Sequence, residues 1–378
     1  MNGSTANQTH QPNLEISFIP WAFFNALIIV FGSIGNVLVV LAYRNPRMKT
    51  VTNLFIANLA FADLNVVLIN VPINILRLKL ADWPFGLVIC KIVTSLMGMT
   101  LSASVGSLIA IAADRHRAIV HPLKPRMRTR HAFYIIIAIW TGAILVATPM
   151  LYFAKIDKDG ACIENLPMIG SVQLVRVYTY FIFVALYVLP LGAISGLYFM
   201  IYLNLMHKAP LQKSAHRARV SVVRMLIMVV VVFALCWLPY HAVFLDPGEI
   251  DQTKLYAVYF GIWLASANSS FNPIIYAVFN LNYRREFARI LTCGTINVGK
   301  YLGWDTSTDD PRTHVSIRKS HPMEKMPNKN GENMNLVDDG KLCRGIRKQE
   351  LNGNNLIENE RSSLPKHDEE QNKYIAEN

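Results

Sequence analysis

Asp63 is the residue of this chain that packing explains least well, because the run around it, residues 53–75, carries no other charge. An ionised carboxylate in an apolar medium costs several kcal/mol unless it finds partners. Asn36, Ser104, Asn268, Ser269 and Asn272 stand at comparable depth in other apolar runs. One carboxylate among amide and hydroxyl oxygens suits a small hard cation such as Na⁺. The same residues also suit a neutral, hydrogen-bonded packing cluster, and their types alone leave both readings open.

A second polar anomaly is Asp114-Arg115-His116, at the end of another apolar run. The neighbouring acid can neutralise the base, and the guanidinium offers several donors to the carbonyls of a docked protein. An ordinary surface ion pair has the same appearance. His241 is the only histidine well inside a run, and no nucleophile–base pair or ligand set stands at matched depth. That counts against an intramembrane enzyme. The five cysteines are too few for a disulfide scaffold and form no close metal-binding pair.

The elements that must carry these residues follow from composition. The 378 residues are 52% hydrophobic and 16% charged, with mean hydropathy +0.29, whereas soluble domains carry about a quarter charged residues. Seven runs approach the roughly 20 helical residues needed to cross a bilayer: 21–43, 53–75, 92–113, 133–153, 178–206, 220–245 and 255–279. With no alternating ten-residue strands, the expectation is an all-α bundle of seven transmembrane helices rather than a barrel. Neither paired ionisable groups lining a path nor an inverted repeat speaks for a transporter.

Charge orients the bundle. The formal net charge is +12, yet from residue 281 onward 16 Lys/Arg face 15 Asp/Glu, so the excess lies ahead of that point. One set of loops collects Arg44, Arg47, Lys49, Arg117, Lys124, Arg126, Arg128, Arg130, Lys208, Lys213, Arg217 and Arg219, while segment 1–20 has no Lys or Arg. The positive-inside rule then puts the N-terminus outside and the C-terminal tail in the cytoplasm. Nucleic acid is not an expected partner. Asn2 and Asn7 open Asn-X-Ser/Thr triplets suited to glycosylation on the outer side. No basic-then-apolar stretch precedes the first span, which is expected to act as an uncleaved anchor.

The expected organisation is an extracellular tail (1–20), the bundle (21–279), an amphipathic cytoplasmic helix (280–293) and a disordered tail (294–378). The helix places Tyr283, Phe287, Ile290 and Leu291 on one face and Arg284, Arg285 and Arg289 largely on another, suiting the membrane surface. The tail is polar and poor in aromatic residues, unable to bury enough apolar surface to offset chain entropy. Pro149, Pro190, Pro239 and Pro273 fall in spans four to seven. Each removes a helical hydrogen bond and permits a kink.

Motifs on all seven spans carry a resemblance. Gly35-Asn36-Val37-Leu38-Val39, Asn58-Leu59-Ala60-Phe61-Ala62-Asp63, Asp114-Arg115-His116, Trp140, Pro190 with Tyr198, Phe233 with Cys236-Trp237-Leu238-Pro239-Tyr240, and Asn272-Pro273-Ile274-Ile275-Tyr276 occur in order. Together they resemble the rhodopsin-like class of G-protein-coupled receptors over about residues 20–293. The resemblance implies that Asp114 restrains Arg115 at rest and that Arg115 then meets a heterotrimeric G protein, with Tyr198 and Tyr276 supporting the open state. Phe233 and Trp237 would couple ligand contact to outward motion of the sixth helix, and Leu123 would insert into the G protein. It also implies a sodium pocket at Asp63, Ser104, Asn268, Ser269 and Asn272, and a disulfide between Cys90 and Cys162. Cys293, just after the amphipathic segment, is a palmitoylation candidate, with an unmodified thiol as the alternative, and the tail would meet receptor kinases and arrestin. Two departures stand out. His116 replaces the usual tyrosine, and the start of the sixth span offers Arg217 and Arg219 instead of an acid for Arg115.

Absences narrow the ligand. Met97 stands where an amine receptor has an aspartate, and Ser266 where an opsin has its lysine. Trp83-Pro84-Phe85-Gly86, His121-Pro122-Leu123-Lys124-Pro125-Arg126 and Trp237-Leu238-Pro239-Tyr240-His241 resemble the neuropeptide Y, tachykinin, galanin and allatostatin receptors. A plasma-membrane receptor for an extracellular peptide is therefore expected, with a chemokine, lipid or other non-amine ligand as the alternative. Its pocket would lie between Met97, Thr100, Ile182, Trp237, His241, Phe244 and Ile262, with Arg77 and Arg176 at the rim and a hairpin lid in the loop 155–176.

Overall fold

The computed structural model describes residues 18–80, 83–158, 160–164, 166–169, 172–207, 213–246, 248 and 251–292. Asn2, Asn7, Cys293 and the tail 294–378 lie outside the described residues.

The first span is α1 (Phe18–Arg44). A 3₁₀ turn (Pro46–Met48) follows, opened by Asn45, whose side chain accepts from the Arg47 N–H. Thr50 then caps the second span by accepting from the Asn53 N–H at 3.2 Å, satisfying one of the orphan donors at a helix start. That span runs as α2 (Val51–Asn65), a π turn (Val66–Asn70) and α3 (Val71–Lys79). The third and fourth spans are α4 (Gly86–Val120) and α5 (Thr129–Phe153). An antiparallel hairpin follows, β1 (Ala154–Ile156) against β2 (Cys162–Glu164), then a two-residue ladder of β3 (Met168–Ile169) and β4 (Val172–Gln173). The fifth span is α6 (Leu174–Phe183), a π turn (Val184–Val188) and α7 (Leu189–His207). The sixth is α8 (Lys213–Leu245), the seventh α9 (Gln252–Phe279), and α10 (Leu281–Leu291) closes the described chain.

Among the described residues six helices are long and apolar enough to cross a membrane. The seventh, α9, has the length, but Ser266, Asn268, Ser269, Ser270 and Asn272 lower its apolarity, and all five are buried inside the bundle. Large apolar side chains such as Phe31, Leu145, Phe199 and Leu235 face outward on other helices. In water such faces would be an aggregation hazard, and against lipid they are at no disadvantage.

Prolines act in two ways. Pro149, Pro239 and Pro273 sit inside continuous helices. Pro72 and Pro190 are each the second residue after a π turn, where widening the turn relieves the ring's clash with the preceding carbonyl. Pro72 falls outside the four prolines expected to interrupt spans four to seven.

Polar side chains tie the spans together. Asn58 accepts from Trp140 Nε1 (3.0 Å) and donates to Ser107 (2.8 Å), joining spans two, three and four. Ser270 donates to the Ile28 carbonyl and Tyr187 to that of Ala234. The apolar face of α10 is only partly a membrane face, because Tyr283 and Phe287 are buried in the bundle core against Tyr276, whereas Leu291 is 66% exposed. Asn45 reinforces this docking by donating to Glu286 at 2.7 Å.

Close approach explains two glycines. A Cβ on Gly35 would lie 2.7 Å from Pro273 Cβ, and one on Gly261 would lie 3.0 Å from Tyr240 Cα. Gly35→Val therefore forces the first span off the seventh. Overpacking of this kind costs about 1–3 kcal/mol, and the purified variant is expected to unfold several degrees below wild type in a thiol-dye melt reporting on Cys236, the buried free cysteine among the described residues. An unchanged midpoint would contradict the tight contact.

Candidate functional site

Asp63 is 1% exposed and accepts from Asn272 Nδ2 at 2.7 Å, linking spans two and seven. Asn36 donates to the carbonyls of Gly32 and Ser269, both at 2.9 Å, bringing in span one. The Asn268 Oδ1 is buried with no hydrogen-bond partner. It borders a cavity of about 20 Å³, with Asn70, Met97, Thr100, Ser104 and Trp237 also on its wall. That volume holds about one water-sized particle. The wall offers the Ser104 hydroxyl and the unpaired Asn268 oxygen, hard donors that suit a small monovalent cation, while Asp63, bonded to Asn272, is not among the lining residues.

Above this core lies a group of rings. Trp237 lies 6.1 Å from Phe233, 5.5 Å from Tyr240 and 6.0 Å from His241, measured between centroids. His241 is 2% exposed and further enclosed by Phe183 at 5.4 Å and Tyr187 at 4.8 Å. Neither Trp237 Nε1 nor His241 Nε2 has a hydrogen-bond partner.

At the far end of α4, the Asp114 carboxylate is the hub. Arg115 Nη2 reaches Asp114 Oδ2 at 2.8 Å, and the Thr52 hydroxyl donates to the same oxygen. Arg115 Nη2 also donates to Thr52. Asp114 is buried, while the Arg115 side chain keeps 25% exposure. Arg217 and Arg219 on α8 are exposed, and no ion pair among the described residues joins Arg115 to the sixth span. Tyr198 and Tyr276 are buried, and Leu123 is 99% exposed.

The opposite end is held by covalent and ionic ties. Cys90, at the start of α4, forms a disulfide with Cys162 of β2. Arg77 donates to the Cys162 carbonyl at 3.4 Å and lies over the Trp83 ring at 5.2 Å, beside an open cavity of about 190 Å³. Between α8 and α9, Lys254 Nζ meets Asp246 Oδ2 at 3.1 Å and the carbonyls of Asp246 and Gly248. The Gly248 N–H and the Lys254 ammonium hold the Asp246 carboxyl below the usual range.

The structure brings Asp63 and Asn272 into contact and sets Ser104, Asn268 and Ser269 around one cavity with Met97, Thr100 and Trp237. It does not bring the rest of the expected ligand pocket together there. His241 is shut in by rings, Ile182 is half-buried in core packing, and Ile262 is half-buried and off the cavity wall. Phe244 lies tilted against Tyr240, with centroids 4.5 Å apart, and is 41% exposed, Arg176 is exposed, and Arg77 is at the rim. Sequence reasoning missed Thr52 and Tyr187. A hydroxyl within two residues of a helix cap was the only hint of Thr52, and nothing set Tyr187 apart from the other aromatic residues of the spans.

Residues 35–276 match the 7 transmembrane receptor (rhodopsin family). The chain is 34% identical to neuropeptide FF receptor 2 of Mus musculus over 310 residues, covering 74% of this chain and 73% of that one. It is 33% identical to the substance-P receptors of Aquarana catesbeiana over 339 residues and of Homo sapiens over 340, covering 85% of this chain and 83% of each. Because the family match starts at Gly35 beside Asn36 and ends at Tyr276, taking in both the polar core and the Arg115 end, the chain belongs to the rhodopsin family of seven-transmembrane receptors, a multi-pass plasma-membrane receptor and not an enzyme.

Proposed function

We propose that this receptor binds an extracellular peptide at its disulfide end and activates a heterotrimeric G protein at its Arg115 end through outward motion of α8. The observation that carries the reading is the local restraint of Arg115: its bonds run to Asp114 and Thr52, and α8 contributes no acid to hold it. Moving α8 away therefore uncovers a guanidinium without first breaking an interhelical salt bridge. The relatives named for neuropeptide FF and substance P support a peptide as the ligand. Met97, Thr100 and Trp237 form the floor that the ligand presses on, with His241 acting from behind through its contact with Trp237. Phe233 passes the motion down α8, while Tyr198, Tyr276 and Pro273 serve the open state. Leu123 enters the G protein, and α10 lies along the inner leaflet.

Arg115→Ala is expected to abolish nucleotide exchange on a purified G protein while leaving ligand binding intact. Wild-type exchange by the variant would overturn the assignment. Thr52→Val removes a hydroxyl bonded to both charges, worth about 1 kcal/mol, so basal exchange should rise roughly fivefold without ligand. No rise would show that Asp114 alone restrains Arg115.

In this reading Na⁺ occupies the Asp63 site in the resting state and is expelled as the helices close inward. By linkage, an ion that prefers one state weakens a ligand that prefers the other. Agonist affinity should therefore fall as NaCl replaces a large organic cation at constant ionic strength. Asp63→Asn should remove this dependence, and an unchanged sodium effect in that variant would reduce the cluster to packing.

A further inference from the structure

The described acids at the disulfide end have different commitments. Asp246 is paired with Lys254 and accepts from Gly248, Asp251 caps α9, and Asp157 lies at the outer turn of the β1–β2 hairpin. Glu164 is at the other end of that hairpin, opposite Ala154, which is 1% exposed. Side chains two apart on a strand share a face, so Glu164 follows the direction of Cys162. Cys162 is itself fixed by the bond to Cys90 and by the Arg77 hydrogen bond. The carboxylate interacts electrostatically with Arg77 of the second span, Tyr178 of the fifth and Tyr240 of the sixth. It therefore stands within electrostatic reach of three spans at the disulfide end.

Nothing described there neutralises it by contact. None of the ion pairs among the described residues includes Glu164. Arg77 is engaged with the Cys162 carbonyl and the face of Trp83, and the Tyr178 hydroxyl donates to the Val146 carbonyl at 2.9 Å. Glu164 is nonetheless reachable from solvent. The surrounding protein strips part of its hydration, pushing the carboxyl above its usual range, with Arg77 pulling the other way. A partly desolvated carboxylate held on a tethered strand is preorganised for a charge-assisted hydrogen bond. The planar, weakly hydrated guanidinium is the cation that loses least on entering such a place and can engage both oxygens.

We propose that Glu164 is a specificity-determining ligand anchor, selecting peptides that present a guanidinium to the mouth of the bundle. The inference rests on the peptide reading above and adds a chemical requirement to it.

The test uses the purified full-length receptor and two small probes, arginine amide and its neutral isostere citrulline amide, each at millimolar concentration. Arginine amide should raise the unfolding temperature of wild type by about 2 °C, and citrulline amide should not. Glu164→Gln should melt at the wild-type temperature without probe and lose the shift, while Glu164→Asp keeps part of it. No shift in wild type, or an equal shift with citrulline amide or in Glu164→Gln, overturns the proposal. A second arm takes an activating amidated peptide containing arginine and its citrulline twin. The exchange should lower potency tenfold or more on wild type and have little effect on Glu164→Gln, the signature of direct coupling. An arginine-amide shift with no peptide able to activate would count against the peptide reading alone. Peptide activation indifferent to citrulline would remove Glu164 and leave the peptide reading standing.

Discussion

Everything in this bundle depends on the rule that polar groups inside hydrocarbon must satisfy one another. Asp63 enforces it most strongly, since its carboxylate at mid-depth needs partners and takes a hydrogen bond from Asn272 of the seventh span. That contact sets the depth of α9 against α2. Asn36, reaching the Ser269 carbonyl from the first span, then fixes α1 against the same turn. The glycine–proline contact of Gly35 with Pro273 is possible because those polar bonds have already drawn the helices together. Bonds of modest individual worth thus determine a packing that apolar contacts, indifferent to lipid or protein neighbours, could not select.

The same rule explains why the functional regions differ in character. The centre carries an unpaired amide oxygen, that of Asn268, beside a small cavity. At the Arg115 end two charges and a hydroxyl satisfy one another within two adjacent spans and leave the sixth uncommitted. At the disulfide end a covalent bond ties α4 to β2, and the exposed Asp246–Lys254 ion pair adds a tie that water and salt weaken.

Much of this was legible in the sequence. Seven apolar runs, a lone mid-span carboxylate and an ordered series of motifs were enough for the fold and for the family. Local chemistry hid the remainder. The π turns ahead of Pro72 and Pro190 depend on how a helix accommodates a ring, and apolar periodicity has no signal for that choice. His241 has the marks of a pocket residue because a histidine in a span is unusual, yet four aromatic neighbours enclose it. The amphipathic pattern of α10 does specify a helix, but its two largest apolar side chains turn into the protein. Pattern gives the face of a helix and leaves its partner open.

The clasp between Asp246 and Lys254 gives the sixth helix the mechanics of an unequal lever. The pair ties the outer tip to the seventh span, and Pro239, inside the helix, is where the backbone ladder lacks a rung and a bend is easiest. At 1.5 Å of rise per residue, the short arm from Pro239 to Leu245 is about 9 Å and the long arm to Lys213 about 39 Å. Any bend at Pro239 therefore swings the inner tip about four times as far, relative to the outer one, as the ratio of the two arms dictates.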